Sequence, residues 1–224
     1  MNRMNPTPRL ALTLGTALVA SLAALAPAQA ADVLFATAPF QGSVADPNDG
    51  VRTVFGGLEQ QLPAFDLAQD RFVFTHPAFG AGGPLSFISA AAAGIPASGF
   101  NVIVLQSTDN DGNPATPFNA GSAANLIAGQ VQTDGPGFFI YHNSGLRVNR
   151  LVWSSNLNSA TGDLSILARV LNPSGADAIG QLDDFSATNF ALAPVPEPTT
   201  WALMLGGLAG VAAMQRRRRA PAAA

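Results

Sequence analysis

Few side chains in this sequence are equipped for chemistry. Its 224 residues include two histidines, His76 and His142, and neither a cysteine nor a lysine. Thiolate nucleophiles, thiolate metal ligands and amine nucleophiles on side chains are therefore absent. A Ser-His-Asp site would have to use His76 or His142, and no serine stands in a Gly-x-Ser-x-Gly elbow. His142 lies just before an expected hairpin turn and reads as a satisfied surface imidazole.

Aspartate is the better represented group. Asp46 and Asp49, Asp109 and Asp111, and Asp183 and Asp184 are close in sequence, and two carboxylates suffice for glycosidase-type acid/base work if the fold brings them together. The stretch Ser107-Thr108-Asp109-Asn110-Asp111-Gly112-Asn113 alternates oxygen-bearing side chains around a glycine. That pattern resembles the first half of a calcium loop, with Asp109, Asp111 and Asn113 as candidate Ca2+ ligands. Residues 114–120 contain no Asp or Glu to complete it. The alternative is an Asn/Asp/Gly loop in which each side chain bonds its own backbone. Tyr141 and Trp153 are candidates for a sugar-stacking platform, or else for strand packing.

The elements that must position these residues read mostly as strands. Residues 33–38, 71–75, 101–106 and 164–171 are short, apolar and β-prone, and residues 46–50 form a Pro/Asn/Asp/Gly turn. Residues 137–153 place two β-prone runs around Asn143-Ser144-Gly145, predicting a hairpin whose turn uses those three residues at its positive-φ positions. Alternation puts Phe139 and Tyr141 on one face, and Phe138, Ile140 and His142 on the other. Two short helices are expected, over 121–130 with Ser122 as N-cap and over 176–182. The expectation is a single all-β domain, a sandwich or barrel-like sheet with one or two short helices.

The two ends are unlike the middle. Arg3 and Arg9 precede an apolar core that runs from Leu10 to Pro27 and a small-x-small site at Ala28 and Ala30, the features of a secretory signal peptide cut by signal peptidase after Ala30. Between residues 31 and 195 five arginines face thirteen acidic residues, a formal charge of −8. So acidic a domain is a poor partner for nucleic acid. Without cysteine, an exported core must hold itself without disulfides.

At the other end Pro196-Glu197-Pro198 is followed by 16 uncharged residues, 199–214, and then by Arg216, Arg217, Arg218 and Arg219. As a helix the uncharged run would span about 24 Å against a hydrocarbon core of about 30 Å, with Trp201 at one interface. The arginines would stay in the cytoplasm by the positive-inside rule, with the folded middle outside.

Triplet, short apolar helix and arginine cluster, behind a signal peptide, together resemble the PEP-CTERM sorting signal of Gram-negative bacteria. The resemblance implies recognition by an exosortase, cleavage near the triplet, and release or transfer to the cell surface, in association with exopolysaccharide and biofilm. Pro196, Glu197 and Pro198 match the triplet and Arg216 to Arg219 the basic end. The tail is also catalogued as an ice-binding protein C-terminal domain, a label for the tail and not an activity. The middle is similar to uncharacterised PEP-CTERM proteins through residues 137–141, 143–146, 150–152, 163–169 and 184–190, with no activity attached.

The organisation expected is thus a signal peptide at 1–30, an exported all-β domain at 31–195, the sorting signal at 196–219 and a cytoplasmic tail at 220–224. The expected function is that of a noncatalytic surface or matrix protein, held transiently in the inner membrane by its C-terminal helix. The alternatives are a polysaccharide-binding module, with or without calcium assistance, and an aspartate-dependent hydrolase.

Overall fold

The computed structural model describes residues 31–46 and 52–193. The leader, the sorting tail with its expected membrane helix, and residues 47–50 of the expected turn lie outside the described residues. Eleven strands are described: β1 (Asp32–Phe35), β2 (Val44–Asp46), β3 (Val54–Gly56), β4 (Gln60–Leu62), β5 (Arg71–Phe74), β6 (Phe87–Ala90), β7 (Val102–Leu105), β8 (Gly137–Asn143), β9 (Val148–Ser154), β10 (Leu164–Val170) and β11 (Phe190–Leu192). Two short helices accompany them, α1 (Ala120–Ala128) and α2 (Ala176–Gln181), so the protein is mostly β, as its sequence predicts. Among the described residues no helix is long and apolar enough to cross a membrane.

The strands form two sheets. The large one has the order β2-β3-β10-β9-β8-β7-β6, with β4 following β3 along the edge of β10, and is open at β2 and β6. The small one has the order β1-β5-β11 and is parallel throughout. In the large sheet β8, β9 and β10 make an antiparallel meander, while β6, β7 and β8 run parallel to one another, as do β3 and β4 to β10.

Burial on both faces explains why the central strands are almost wholly apolar. Every residue of β8 is buried. One face of the large sheet packs on the small sheet through a phenylalanine-rich core that includes Phe35, Phe72, Phe74, Phe138, Ile140, Leu151 and Trp153. The opposite face packs on α1 and its approach, where Phe118, Ala123, Ala124 and Ile127 meet Ile103, Phe139, Tyr141 and Val152. The alternation read from the sequence therefore places Phe139 and Tyr141 correctly against Phe138 and Ile140.

Local details differ from expectation. Asn119, not Ser122, caps α1: its side chain accepts from the Ser122 N–H at 2.9 Å, because the helix starts earlier than its apolar run suggests. The hairpin turn is a four-residue loop, 144–147, and its positive-φ residue is Arg147 at 57°, not one of the three expected. Asn143 organises that loop by accepting from Leu146 N at 2.8 Å through its side chain and from Arg147 N at 2.7 Å through its carbonyl. In β10 a bulge between Ile166 and Ala168 slips the pairing with β9 by one residue. As a result Leu167 and Ala168 both join the phenylalanine core, and Arg169 comes to lie opposite Arg150.

Candidate functional site

Among the described residues, those singled out in the sequence do not converge. In the loop after β7, Asp109 Oδ1 accepts from Asp111 N at 3.0 Å, Asp111 Oδ1 from Asn113 N at 2.9 Å, and Asn113 Oδ1 from Ala115 N at 3.1 Å. Each side chain thus closes a turn on the backbone two residues ahead. The Asp111 N–H, with further help from neighbouring loop amides, holds the Asp109 carboxyl below its ordinary value. Among the described residues no group of three or more His, Cys, Asp or Glu is arranged to hold a metal ion.

Asp183 and Asp184 stand in a 3₁₀ turn after α2, where Asp183 Oδ1 accepts from Gln106 Nε2 at 2.8 Å. Asp49 and the side chain of Asp46 lie outside the described residues. His76 Nδ1 accepts from Ala78 N at 3.1 Å and so caps a 3₁₀ turn.

His142 is not the surface imidazole expected. It is buried, and its Nδ1 lies 3.3 Å from Asn149 Oδ1 across the hairpin. Burial lowers its pKa, the Asn149 hydrogen bond partly offsets this, and the Arg147 charge adds to the lowering. Asn149, 0% exposed, also donates to Ala178 O at 2.7 Å and to Gln181 Oε1 at 3.0 Å. This network ties α2 to the hairpin. Tyr141 and Trp153 form no platform for sugar: both are buried, in the cores on opposite faces of the sheet.

Two features escape the sequence. On the α1 side of the structure Arg52 is buried and donates to Asn125 Oδ1 at 2.6 Å and to the carbonyls of Ser159 and Gly162, both at 3.4 Å. It fixes α1 to the loop after β9 and lines a recess of about 420 Å³ with Ser122 and Asn158.

The second feature joins Glu59, between β3 and β4, to the cross-strand pair Arg150 and Arg169. Glu59 Oε1 accepts from Arg150 Nη2 at 3.3 Å and from Arg169 Nη2, while Oε2 accepts from Gly57 N at 2.6 Å. The Glu59 side chain is only 3% exposed. Burial works to raise its pKa, but the Glu59 and Gly57 amides and the Arg169 guanidinium outweigh that and leave it lowered.

These three residues line a hollow of about 430 Å³ with Val44, Gly56 and Ile166. Two guanidinium groups against one carboxylate leave it net positive, in a domain that is acidic as a whole. The Nε atoms of Arg150 and Arg169 are buried and have no hydrogen-bond partner. No spacing in the sequence advertises this cluster, since Glu59 is 91 and 110 residues away from its partners.

The described domain begins and ends in the small sheet. Because β1 and β11 both run parallel to β5, the chain enters at one end of that sheet and leaves at the other, where Ala193 N donates to Phe74 O at 3.0 Å. Ala28 and Ala30 precede the described residues. Pro196, Glu197, Pro198 and the four arginines follow them. Searches among curated proteins and among solved structures return no match. Residues 194–219, which run through the triplet and the whole arginine cluster, match the family model for the PEP-CTERM protein-sorting motif, so the chain carries that sorting signal and is marked as an exported substrate of an exosortase.

Proposed function

We propose that this protein is a noncatalytic component of the cell surface or extracellular matrix, delivered by its tail and matured at both ends. The match of residues 194–219 to the sorting motif supports the export and C-terminal processing on which this reading is built. Proline at positions 196 and 198 is unfavourable in a helix interior, which suits a triplet offered to a processing enzyme. Arg216 to Arg219 hold the far end in the cytoplasm until cleavage. Replacing Pro196-Glu197-Pro198 by three alanines should leave the protein membrane-bound and unprocessed. Normal release of that variant would overturn the reading.

A second reading, binding of an anionic polysaccharide, is favoured by the positively charged hollow at Arg150 and Arg169. A sugar carboxylate there would meet guanidinium groups whose combined charge exceeds that of Glu59, in a form suited to planar oxyanions. Retention on immobilised polygalacturonate but not on neutral dextran, lost in Arg169→Gln, is the expected result. Equal retention of the variant, or none by the native protein, would count against it.

A further inference from the structure

The main-chain nitrogen of Ala31 donates to Asp70 Oδ1 at 2.8 Å. Asp70 is 8% exposed and immediately precedes β5. Its second oxygen accepts from Asp66 N at 2.9 Å, and its own N–H donates to Asp66 O at 2.7 Å. Asn189, buried between two loops, donates to Asp70 O at 3.1 Å and to Leu67 O at 2.8 Å. The carboxylate is thus held rigidly, aimed at the first residue that follows the expected cleavage site. Ala31 is held too, since Arg71 N donates to its carbonyl at 3.2 Å.

We propose that signal-peptide cleavage after Ala30 converts this contact into an ion pair, with Asp70 the receptor for the new N-terminus. Hydrolysis adds water across the Ala30–Ala31 peptide bond, leaving a carboxylate on the departing leader and an α-ammonium on Ala31. The ammonium nitrogen stands where the amide nitrogen stood, within charge-assisted hydrogen-bond distance of Asp70. The other charges at this corner favour it. Asp32 is engaged by Arg71 through two bonds of 3.0 Å, and among the described residues neither Asp66 nor Asp70 is paired with a cation. A partly buried carboxylate facing a peptide N–H recovers less of its lost hydration than one facing a cation.

The consequence falls on β1. Among the described strands it has one neighbour, β5, and its N-terminal end gains the ion pair only once the leader has been removed. The processed domain is therefore more stable than its precursor, and its first strand is fastened after export. The proposal rests on the cleavage reading above.

The sequence provides an unusually selective test. Because it contains no lysine, the α-amino group is the sole amine of the processed protein, and an acetylating N-hydroxysuccinimide ester modifies it alone among amines. Intact mass of the protein recovered after export first identifies its N-terminus, and a start other than Ala31 overturns both the cleavage reading and the proposal. With Ala31 first, acetylation keeps an N–H donor but removes the charge. It is expected to lower Tm by a few degrees in the native protein and to leave Asp70→Asn unchanged.

Equal shifts in the two proteins would overturn the ion pair while leaving the cleavage site intact. If Asp70→Asn does not fold, the rate of acetylation near pH 8 decides. Pairing keeps the amine protonated above its ordinary pKa of about 7.7–8.0, so the native protein should react several-fold more slowly than the urea-unfolded chain. Equal rates would overturn the proposal.

Discussion

The rings of Phe74 and Phe138 stack with centroids 3.9 Å apart and planes at 23°, one from the small sheet and one from the large. Phe35 and Phe79 pack around the same pair, each with its centroid 5.3 Å from that of Phe74. Truncation here leaves a cavity that surrounding β-structure fills poorly. Phe138→Ala should cost about 3–5 kcal/mol, measured by urea denaturation, with the m-value unchanged if the two sheets still unfold together.

Asn149 fastens the hairpin to α2, so its removal should act at a distance from its own strand. Asn149→Ala strands the Ala178 carbonyl, the Gln181 amide oxygen and the His142 ring, at about 1–3 kcal/mol for a buried group left without a partner. Hydrogen exchange should show α2 loosened before the central meander. Uniform loosening would mean that the network is not what holds the helix.

His142 makes stability depend on pH in a definite direction. Its folded pKa lies below the ordinary 6.5, so below that pH the unfolded chain takes up a proton that the folded state resists. Stability should therefore be complete above about pH 6.5 and decline as pH falls toward the folded pKa. The C2–H resonance of His142 should titrate below 6.5, and His142→Gln should remove this part of the decline.

Glu59 acts in a lower window. Its folded pKa is below the ordinary 4.5, so its contribution is present above that value and is lost as pH falls through the folded pKa. At neutral pH Glu59→Gln leaves Arg150 and Arg169 facing each other across β9 and β10 without their carboxylate. The cost expected is roughly 3 kcal/mol, at the low end for breaking a buried pair because Arg169 is partly solvated. The variant should also lose the acid-sensitive step near and below pH 4.5.

Gly137 opens β8 where no side chain fits. An added Cβ would lie 2.5 Å from the Asn101 carbonyl oxygen and would overlap the end of Leu157. Gly137→Ala should destabilise by about 3 kcal/mol. Leu157→Ala in the same chain should not rescue it, since the backbone carbonyl remains.

Some of this molecule was legible residue by residue. The strands of the meander and the faces of Phe138, Phe139, Ile140 and Tyr141 follow from a period of two, which a strand imposes whatever its partner is. The sorting segment, residues 194–219, was legible for a related reason. A motif recognised as a linear stretch of triplet, apolar run and arginines carries its information in order and spacing.

What the sequence did not disclose depends on pairing over long separations. The strands β2, β3, β4 and β6 have three or four residues each, too few to show a period, and exist because a neighbour supplies their hydrogen bonds. His142 and Asn149 look like turn-flanking polar residues until α2 closes over them. Glu59, Arg150 and Arg169 meet because a bulge shifts β10 by one residue, and Asp70 meets Ala31 because β1 and β5 pair in parallel with residues 39 apart in contact. The sequence by itself determined the sorting segment, the strand-forming runs and the side-chain faces, since those are local properties of the chain. The tertiary structure decided which charges meet and which polar groups lose water, since burial and electrostatic pairing depend on distances that only the assembled sheets define.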